Sequence, residues 1–326
     1  MKRALVTGGA GFIGFALCKQ LAASDYSVVV CDNLSRGKMD DELKTFLKKP
    51  NVEFVQCDLT KPEELAKLGT NFDYVYHLAA VQGTKNFYDK PAHVSRTNIL
   101  CTINLLDWFV QLKKGKILFS SSSEAYASTI SKFNGKIPTP EDIPLTIEDV
   151  YNPRWSYAAS KLAGEVLFAN YGKAYGIDFV IIRYHNVYGP RMGFDHVMPE
   201  FIMRTLKGEN PFNVYGGTET RAFCYVDDAV RATQLVMESK ATNETIHIGN
   251  DKTEVSIIDF AKDIHKLMGY KTEIKVNPAP KGSVARRCPD ITKLRSLGFE
   301  PKTSLKQGLK QSIDWYTNYF KTNKLP

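Results

Sequence analysis

Two clusters of residues in this chain have the types and spacing to do chemistry. The first is Phe119 to Ala127, FSSSSEAYA, where the apolar run KILF delivers the backbone into four serines followed at once by the carboxylate of Glu124. Serines closing a strand make a loop; Ser122 and Ser123 together with Glu124 make either a loop or an active site. The second is YAASK, which sets Tyr157 and Lys161 four residues apart, so that a helix projects both from one face. A free tyrosine has a pKa of about 10 and is a poor base near neutrality, but an adjacent ammonium favours the phenolate. Such a phenolate takes a proton from a hydroxyl while the carbon that bears it gives hydride to a nicotinamide. Alone, the Y-x-x-x-K spacing occurs on any amphipathic helix.

A third cluster would supply the hydride acceptor. TGGAGFIG follows the first apolar run and opens a helical pattern, giving both Gly9-x-Gly11-x-x-Gly14 and Gly8-x-x-Gly11-x-x-Gly14. Glycine permits the tight turn, lets backbone amides approach a pyrophosphate, and allows a helix to pack closely on a strand. A second strand ends in Asp32, close to the spacing of a ribose-binding acid. A carboxylate there accepts both hydroxyls of the adenosine ribose and repels a 2'-phosphate, which favours NAD over NADP. Arg36 is the counter-signal, because an arginine can pair with that phosphate. Asp58, ending FVQCD, is expected either near the adenine or in a plain strand-end turn.

The elements that must position these residues alternate. RALVTG, SVVVCD, VEFVQCDL, YVYHLAA, KILFSSS and DFVIIRYHNV read as strands, apolar nearly throughout, as strands covered on both faces should be. Helical patterns such as FIGFALCKQLAA and HVSRTNILCTINLLDWFVQL lie between them. This predicts an α/β fold, a doubly wound parallel Rossmann-type sheet. After about residue 190 the helices lengthen and the strands shorten, while YVDDAVRATQLVMES and TIHIGN return to the sheet. The expected partition is therefore a dinucleotide-binding domain over 1–187 plus about 228–250, with a smaller interleaved substrate lobe from 188–227 and 251–326. Residues 127–154 carry Pro138, Pro140, Pro144 and Pro153 and little helical period, which predicts a lid.

Composition narrows the class. The chain has 326 residues, 43% hydrophobic and 24% charged, as an ordinary globular protein does. No apolar run approaches the ~20 residues of a membrane span and no signal-peptide pattern opens the chain, so a cytosolic protein without membrane insertion is expected. The six cysteines lack CxxC spacing and read as buried thiols, with no metal site expected. Net charge is +8, but the lysines are dispersed and no basic helix or RNA-binding aromatic motif is present. That distribution suits an anionic small substrate equally well, and no nucleic-acid partner is expected.

The glycine loop, the strand-end serines and the tyrosine–lysine pair, in this order, resemble the extended short-chain dehydrogenase/reductase superfamily over nearly the whole chain. HLAA (His77 to Ala80), RYHNVYGPR (Arg183 to Arg191), TRAFCYVDD (Thr220 to Asp228) and ARRCPDITK (Ala285 to Lys293) are similar to its NAD-dependent nucleotide-sugar branch of epimerases, dehydratases and decarboxylases. The resemblance implies NAD held by Gly8, Gly11, Phe12, Ile13, Gly14, Asp32, Asn33, Asp58, Leu59, Leu78, Ala79, Ala80, Lys161 and Tyr184. It implies a nucleotide-diphosphate sugar as substrate. Ser122, four residues before Tyr126, becomes the residue that holds the reacting oxygen, Tyr157 the base and Lys161 the grip on the nicotinamide ribose. Asn186, Arg191 and Arg221 fall where relatives bind the nucleotide diphosphate or its base, with a surface salt bridge the plainer reading of Arg191. Val214 and Tyr215, in FNVYGG, are candidates for the base pocket.

Glu124 divides that branch. By the resemblance, simple C4 epimerases carry a small or apolar residue there, 4,6-dehydratases carry Asp-Glu, and sugar-acid decarboxylases carry Ser-Glu or Cys-Glu; this chain has Ser123-Glu124. Oxidising C4 of a glucuronate makes a β-keto acid, whose carboxylate leaves as CO2 while the electrons flow into the ketone. Ser123 and Glu124 would position that carboxylate or manage the proton afterwards, and Arg287 matches the decarboxylases' arginine. The leading expectation is a UDP-glucuronate decarboxylase. A 4-epimerase, a 4,6-dehydratase or a 4-dehydrogenase shares the same serine, tyrosine and lysine, and an acid at Glu124 also suits a plain helix start. His185 and Ala127 depart from the family's usual phenylalanine and glycine. An NAD-binding regulator without turnover typically loses the tyrosine or lysine, and this chain keeps both. Helical patterns at about 92–112 and 155–174 resemble the pair that forms a four-helix dimer interface in relatives, and the apolar Ile99, Ile103, Leu106 and Phe109 fit the homodimer this implies; the plainer reading is that these helices simply cover the sheet.

Overall fold

The structure of the chain, a computed structural model, describes residues 1–279 and 283–323. Its strands are β1 (Arg3–Thr7), β2 (Ser27–Asp32), β3 (Val52–Gln56), β4 (Tyr74–His77), β5 (Lys116–Ser122), β6 (Asp178–Tyr184), β7 (Val187–Tyr188), β8 (Phe212–Tyr215), β9 (Thr220–Ala222), β10 (Cys224–Tyr225), β11 (Glu244–Ile248), β12 (Glu254–Ser256), β13 (Ile274–Asn277) and β14 (Arg286–Arg287). The helices are α1 (Phe12–Ala23), α2 (Asp41–Phe46), α3 (Thr84–Asp89), α4 (Pro91–Leu112), α5 (Ala127–Lys132), α6 (Ser156–Tyr175), α7 (Val197–Leu206), α8 (Val226–Glu238), α9 (Ile257–Met268), α10 (Thr292–Ser296) and α11 (Leu305–Thr322). Among the described residues no helix is long and apolar enough to cross a membrane.

Seven strands form one parallel sheet in the order β11-β6-β5-β4-β1-β2-β3. The predicted doubly wound sheet is present, and TIHIGN returns to it as β11. The apolar runs follow from its two covered faces. Ala4 and Val6 of β1 join Val28, Val30, Leu118 and Ile182 in a core shared with α1 and α8. Leu5 joins Val29, Val75, Ile117 and Ile181 in a second core under α4 and α6. Strand order reverses between β1 and β4, and a crevice at the carboxyl ends of such strands is where ligands bind in open α/β sheets. Both the glycine loop after β1 and the serines ending β5 open into it.

The chain leaves this layer after β6 and builds three small sheets from β7 with β10, β9 with β12 and β14, and β8 with β13, and it re-enters through α8 and β11. Residues 127–154 pack along a sheet edge, and none of them lines the cavity at the strand ends, where a lid would lie. The segment begins as α5, docks Thr139 beside Pro289 in a parallel bridge, and offers the Glu141 carboxylate to the His247 amide on the edge strand β11. It thereby covers a sheet edge that would otherwise present unpaired amides. The predicted dimer residues also divide. Leu106 and Phe109 are buried against the sheet, while Ile99 and Ile103 stay half-buried on the outer side of α4.

Candidate active site

The crevice holds a cavity of about 540 Å³ lined from one end by Gly8, Gly11, Phe12, Ile13, Gly14 and Asp32 and from the other by Ser122, Ser123, Glu124, Tyr157 and Lys161. Local sequence makes the first end. Gly8 adopts a φ of +71°, and a Cβ on Gly14 would stand 2.1 Å from the Gly8 carbonyl oxygen, so helix and turn meet at a distance only glycine allows. Among the described residues no side chain caps the amino end of α1 at Gly11, which leaves its amides to the cavity. Asp32 is buried, accepts hydrogen bonds from the Ala10 amide (3.1 Å) and the Leu34 amide (2.8 Å), and has its pKa raised by burial. Asn33, Leu59, Leu78, Ala79, Ala80 and Tyr184 complete this wall. A glycine cradle, free helix amides and a strand-end carboxylate are the donor and acceptor set an NAD molecule requires.

Two expected contacts are placed elsewhere. Asp58 turns its carboxylate back onto the amide and hydroxyl of Thr60, at 3.0 and 2.8 Å, and its neighbours Cys57 and Leu59 line the cavity instead. This is the strand-end turn. Arg36 does not stay beside Asp32: its Nη1 donates to the Gln82 carbonyl at 2.7 Å, so the side chain crosses to the opposite wall.

The other end, with the candidate catalytic residues, is built on β5 and α6. Lys161 is buried, donates from Nζ to the Ser120 carbonyl at 2.7 Å, and lies 4.9 Å from the Phe119 ring centroid. Burial brings its pKa down to about 8. Tyr157 is buried with its ring stacked on Phe87, centroids 5.2 Å apart. Burial, then the charge of Glu124, raises the phenol's pKa; a hydrogen bond with Ser122 and the Arg36 cation lower it. The Ser122 oxygen also accepts the Glu124 amide at 3.2 Å, which fixes the start of the turn that carries Glu124. Behind the turn, His77 on β4 bridges Thr7 (2.9 Å) and Thr102 (3.2 Å), locking the ends of β1 and β4 to α4.

Glu124 answers to cations. Arg287 Nη1 donates to one carboxylate oxygen at 2.6 Å and Arg154 Nη2 to the other at 3.2 Å. Despite the opposing cost of burial, Arg287, Arg154 and Arg221 hold its pKa down to about 2. Arg221 is itself lowered to about 9 by burial and by Arg287. Arg287 Nε is buried with no hydrogen-bond partner among the described residues. Sequence reasoning brings Glu124, Arg287 and Arg221 forward; it misses Arg154 as a member of the group, and it misses the Phe87 ring against Tyr157.

The remaining candidates separate. Asn186 lines the cavity, with a φ of +40° and its side-chain amide on the Ala222 carbonyl at 3.3 Å. Arg191 lines the outer mouth but is committed to Asp40 at 2.5 Å and Glu42 at 3.4 Å, over the Phe15 ring; the salt-bridge reading describes it. Val214 is fully buried in the core on β8 and Tyr215 beside it is 60% exposed; neither lines the cavity. Trp315 and Tyr319 of α11, absent from the sequence reading, close the mouth, with the Trp315 indole on Glu42 at 2.7 Å. Their helix is amphipathic along its whole length, and nothing local marks the turn that meets a ligand.

Residues 4–249 match the NAD dependent epimerase/dehydratase family. The chain is 36% identical to a UDP-N-acetyl-alpha-D-glucosaminuronate decarboxylase of Bacillus cytotoxicus, over 97% of this chain and 98% of that protein. It is 34% identical to UDP-glucuronic acid decarboxylase 5 of Arabidopsis thaliana, over 94% and 87%. It superposes on UDP-glucose 4-epimerase with UDP-glucose from Thermotoga maritima with a TM-score of 0.85 at 33% identity, covering 98% of this chain and 99% of that one. A cofactor crevice at the β1/β4 reversal, with serine, tyrosine and lysine converging on it, sits in a fold shared with full-length relatives, and the chain belongs to the NAD-dependent epimerase/dehydratase family of nucleotide-sugar enzymes.

Proposed function

We propose that the chain is a nucleotide-sugar uronate decarboxylase. The observation that carries this reading is the surplus of positive charge around Glu124: three guanidiniums, Arg154, Arg221 and Arg287, act on that carboxylate beside Ser122 and Tyr157, with Glu219 a further acid near Arg221. A second carboxylate, on the sugar's C5, suits that surplus, because arginine binds carboxylates with charge-assisted forks. With a neutral hexose, the nucleotide diphosphate is the one anion the substrate brings to those cations.

Ser122 holds the C4 hydroxyl and Tyr157 removes its proton, with Lys161 and Arg36 supplying positive charge nearby. The glycine loop and Asp32 would hold NAD, which would supply a reversible hydride acceptor for C4, so that no net oxidation results. Between these events the C4 ketone accepts the electrons of the breaking C5–carboxyl bond, CO2 leaves, and a proton enters at C5. Glu124, with a pKa of about 2, is an anion throughout the neutral range. Its part is to aim Arg287 and Arg154; proton donation at C5 falls to another group or to water.

The smaller sheets around β9 and β14, which carry Arg221 and Arg287, form the sugar-binding side in this reading, and the glycine-loop half forms the cofactor side. We place the reaction in the cytosol, which six free and buried thiols suit. We propose a homodimer through the outer faces of α4 and α6. The test is incubation of enzyme and NAD with UDP-glucuronate and UDP-N-acetylglucosaminuronate, alongside UDP-glucose, UDP-N-acetylglucosamine and GDP- and dTDP-sugars, with products read by mass spectrometry. Loss of CO2 from a uronate supports the proposal. Inert uronates with an isomerised, dehydrated or 4-keto product from a neutral sugar overturn it in favour of the epimerase, dehydratase or dehydrogenase reading.

A further inference from the structure

Directly beneath the Glu124 turn lies a buried polar cluster that the chemistry above does not use. Tyr126 belongs to the same single turn as Glu124, residues 123–126, and its hydroxyl meets His185 Nε2 at 2.8 Å. Tyr126, His185 and His247 form a triangle of rings with centroids 5.9, 5.6 and 4.7 Å apart, all at 2% exposure or less. Arg183, below the Tyr126 ring, is spent on Glu165 through two hydrogen bonds of 2.9 and 2.8 Å, and Glu165 also accepts Ser121 at 2.5 Å. The Tyr126–His185 contact is therefore a neutral hydrogen bond between two side chains with no solvent access, and burial with the nearby cations keeps His185 uncharged.

The same histidine touches the other arm of the site. A Cβ built on Gly249 would stand 3.1 Å from His185 Cβ and 2.8 Å from Pro289 Cγ, so His185 and Pro289 both crowd the same face of Gly249. Pro289 is two residues beyond Arg287, and Thr139 pins this segment by accepting the Asp290 amide (2.8 Å) and donating its own amide to the Cys288 carbonyl (2.9 Å). Glu124 stands on Tyr126; Arg287 stands on the segment packed past Gly249. His185 is the piece between them.

We propose that His185 is a positioning residue for the carboxylate step: through Tyr126 on one side and the Gly249–Pro289 contact on the other, it sets the Glu124 turn against Arg287. This rests on the decarboxylase reading. C4 oxidation relies on Ser122, Tyr157 and Lys161, which His185 does not touch and which meet the Glu124 turn only through Ser122 and the Glu124 charge, so loss of His185 is expected to fall more heavily on the carboxylate step. A hydrogen bond lost at Tyr126 lets the turn relax, and displacements of about 1 Å in a reacting site cost up to a hundredfold in rate.

The experiment compares wild type, His185→Phe, Tyr126→Phe and His185→Gln as NAD-loaded proteins. It measures melting temperature, bound NAD, the rate at which reduced nicotinamide appears on mixing with a UDP-uronate, and the rate of labelled CO2 release. Expected is a fall of about ten- to a hundredfold in CO2 release for His185→Phe and Tyr126→Phe, with bound NAD and nicotinamide reduction within about twofold of wild type. Reduced nicotinamide then accumulates, and His185→Gln, whose amide can meet the tyrosine hydroxyl, recovers most of the lost rate. CO2 release within about twofold of wild type in both phenylalanine variants overturns the inference, as does a parallel fall of NAD content and both rates, which marks a purely structural role. Wild-type enzyme that releases no CO2 from either uronate overturns the decarboxylase reading itself, and this inference falls with it.

Discussion

Tyr157 sits between forces of opposite sign: burial and Glu124 keep its proton on, while Ser122 and Arg36 draw it off. Lys161, the residue expected from the spacing to do the second job, spends its ammonium on the Ser120 carbonyl. Its burial holds it near the point of losing its own proton at about 8. Replacing Tyr157 by Phe removes the proton acceptor and leaves the glycine loop intact. Turnover is expected to drop by about a thousandfold with NAD still bound, the size of a general-base contribution; turnover within about tenfold of wild type would take Tyr157 out of the chemistry. Arg36 is the sharper case, since the sequence offers it as a signal about the ribose and the structure turns it across the cleft to Gln82. Removing its charge raises the tyrosine pKa, and a base must be unprotonated to act. Arg36→Gln should therefore move the acidic limb of the kcat–pH profile to higher pH and lower the rate near neutrality by about tenfold. An unmoved limb would mean that the arginine only straps the loop.

Strands whose ends hold buried, neutral histidines leave a mark on stability. His77 on β4 and His247 on β11 are both nearly inaccessible, and burial lowers each pKa to about 3 from an ordinary 6.5. For His247 the Arg183 cation adds to the effect of burial. Both are uncharged in the fold and take up a proton near pH 6.5 once unfolded, so between these values the unfolded chain binds more protons. Their contribution is complete above about 6.5 and is lost as pH falls toward about 3, at about 1.4 kcal/mol per pH unit for each. With His185, which burial also keeps uncharged, urea titrations between about pH 5.5 and about pH 4.5 should show stability falling by about 4 kcal/mol, and His77→Asn should remove about a third of that slope; a flat stability over this window would refute the assignment. The same elements show what a sequence can disclose. β1, its glycine turn and α1 are legible because the requirement is local: the acceptor Gly8 and the crowded Gly14 belong to one short motif. The cation group is only half legible, because Arg154 and Arg287 reach Glu124 across 30 and 163 residues of chain. Asp58 and Val214 depart from expectation for a simpler reason, since a strand-end acid can turn inward on its own loop and an apolar residue beside a ligand loop can belong to the core.

α4 and α6 lie side by side over the second core, and their outer faces are where the proposed homodimer would meet. A helix that only covers a sheet is apolar on one stripe and polar on the other. Leu105, Leu106 and Phe109 of α4 and Phe168 of α6 supply the inward stripe. Outward, Ile99, Ile103 and Leu162 remain half-buried and Val166 is 52% exposed, which leaves an apolar strip on the far side of both helices. Matching this strip to its own copy about a two-fold axis gives an isologous four-helix contact, the commonest symmetry of homo-oligomers. Such a contact must bury about 1,200 Å² or more in total to persist at micromolar concentration. Light scattering should then return about twice 36.7 kDa. Val166→Glu puts a carboxylate where the two copies would close, and a charge there has no partner and little water. The variant should run as a monomer with its circular dichroism and bound NAD unchanged, because Val166 points away from the core and from the cofactor crevice. A wild-type chain that is already monomeric, or a variant that stays dimeric, would move the contact elsewhere or remove it, and the outward strip of α4 and α6 would then be free for a different partner.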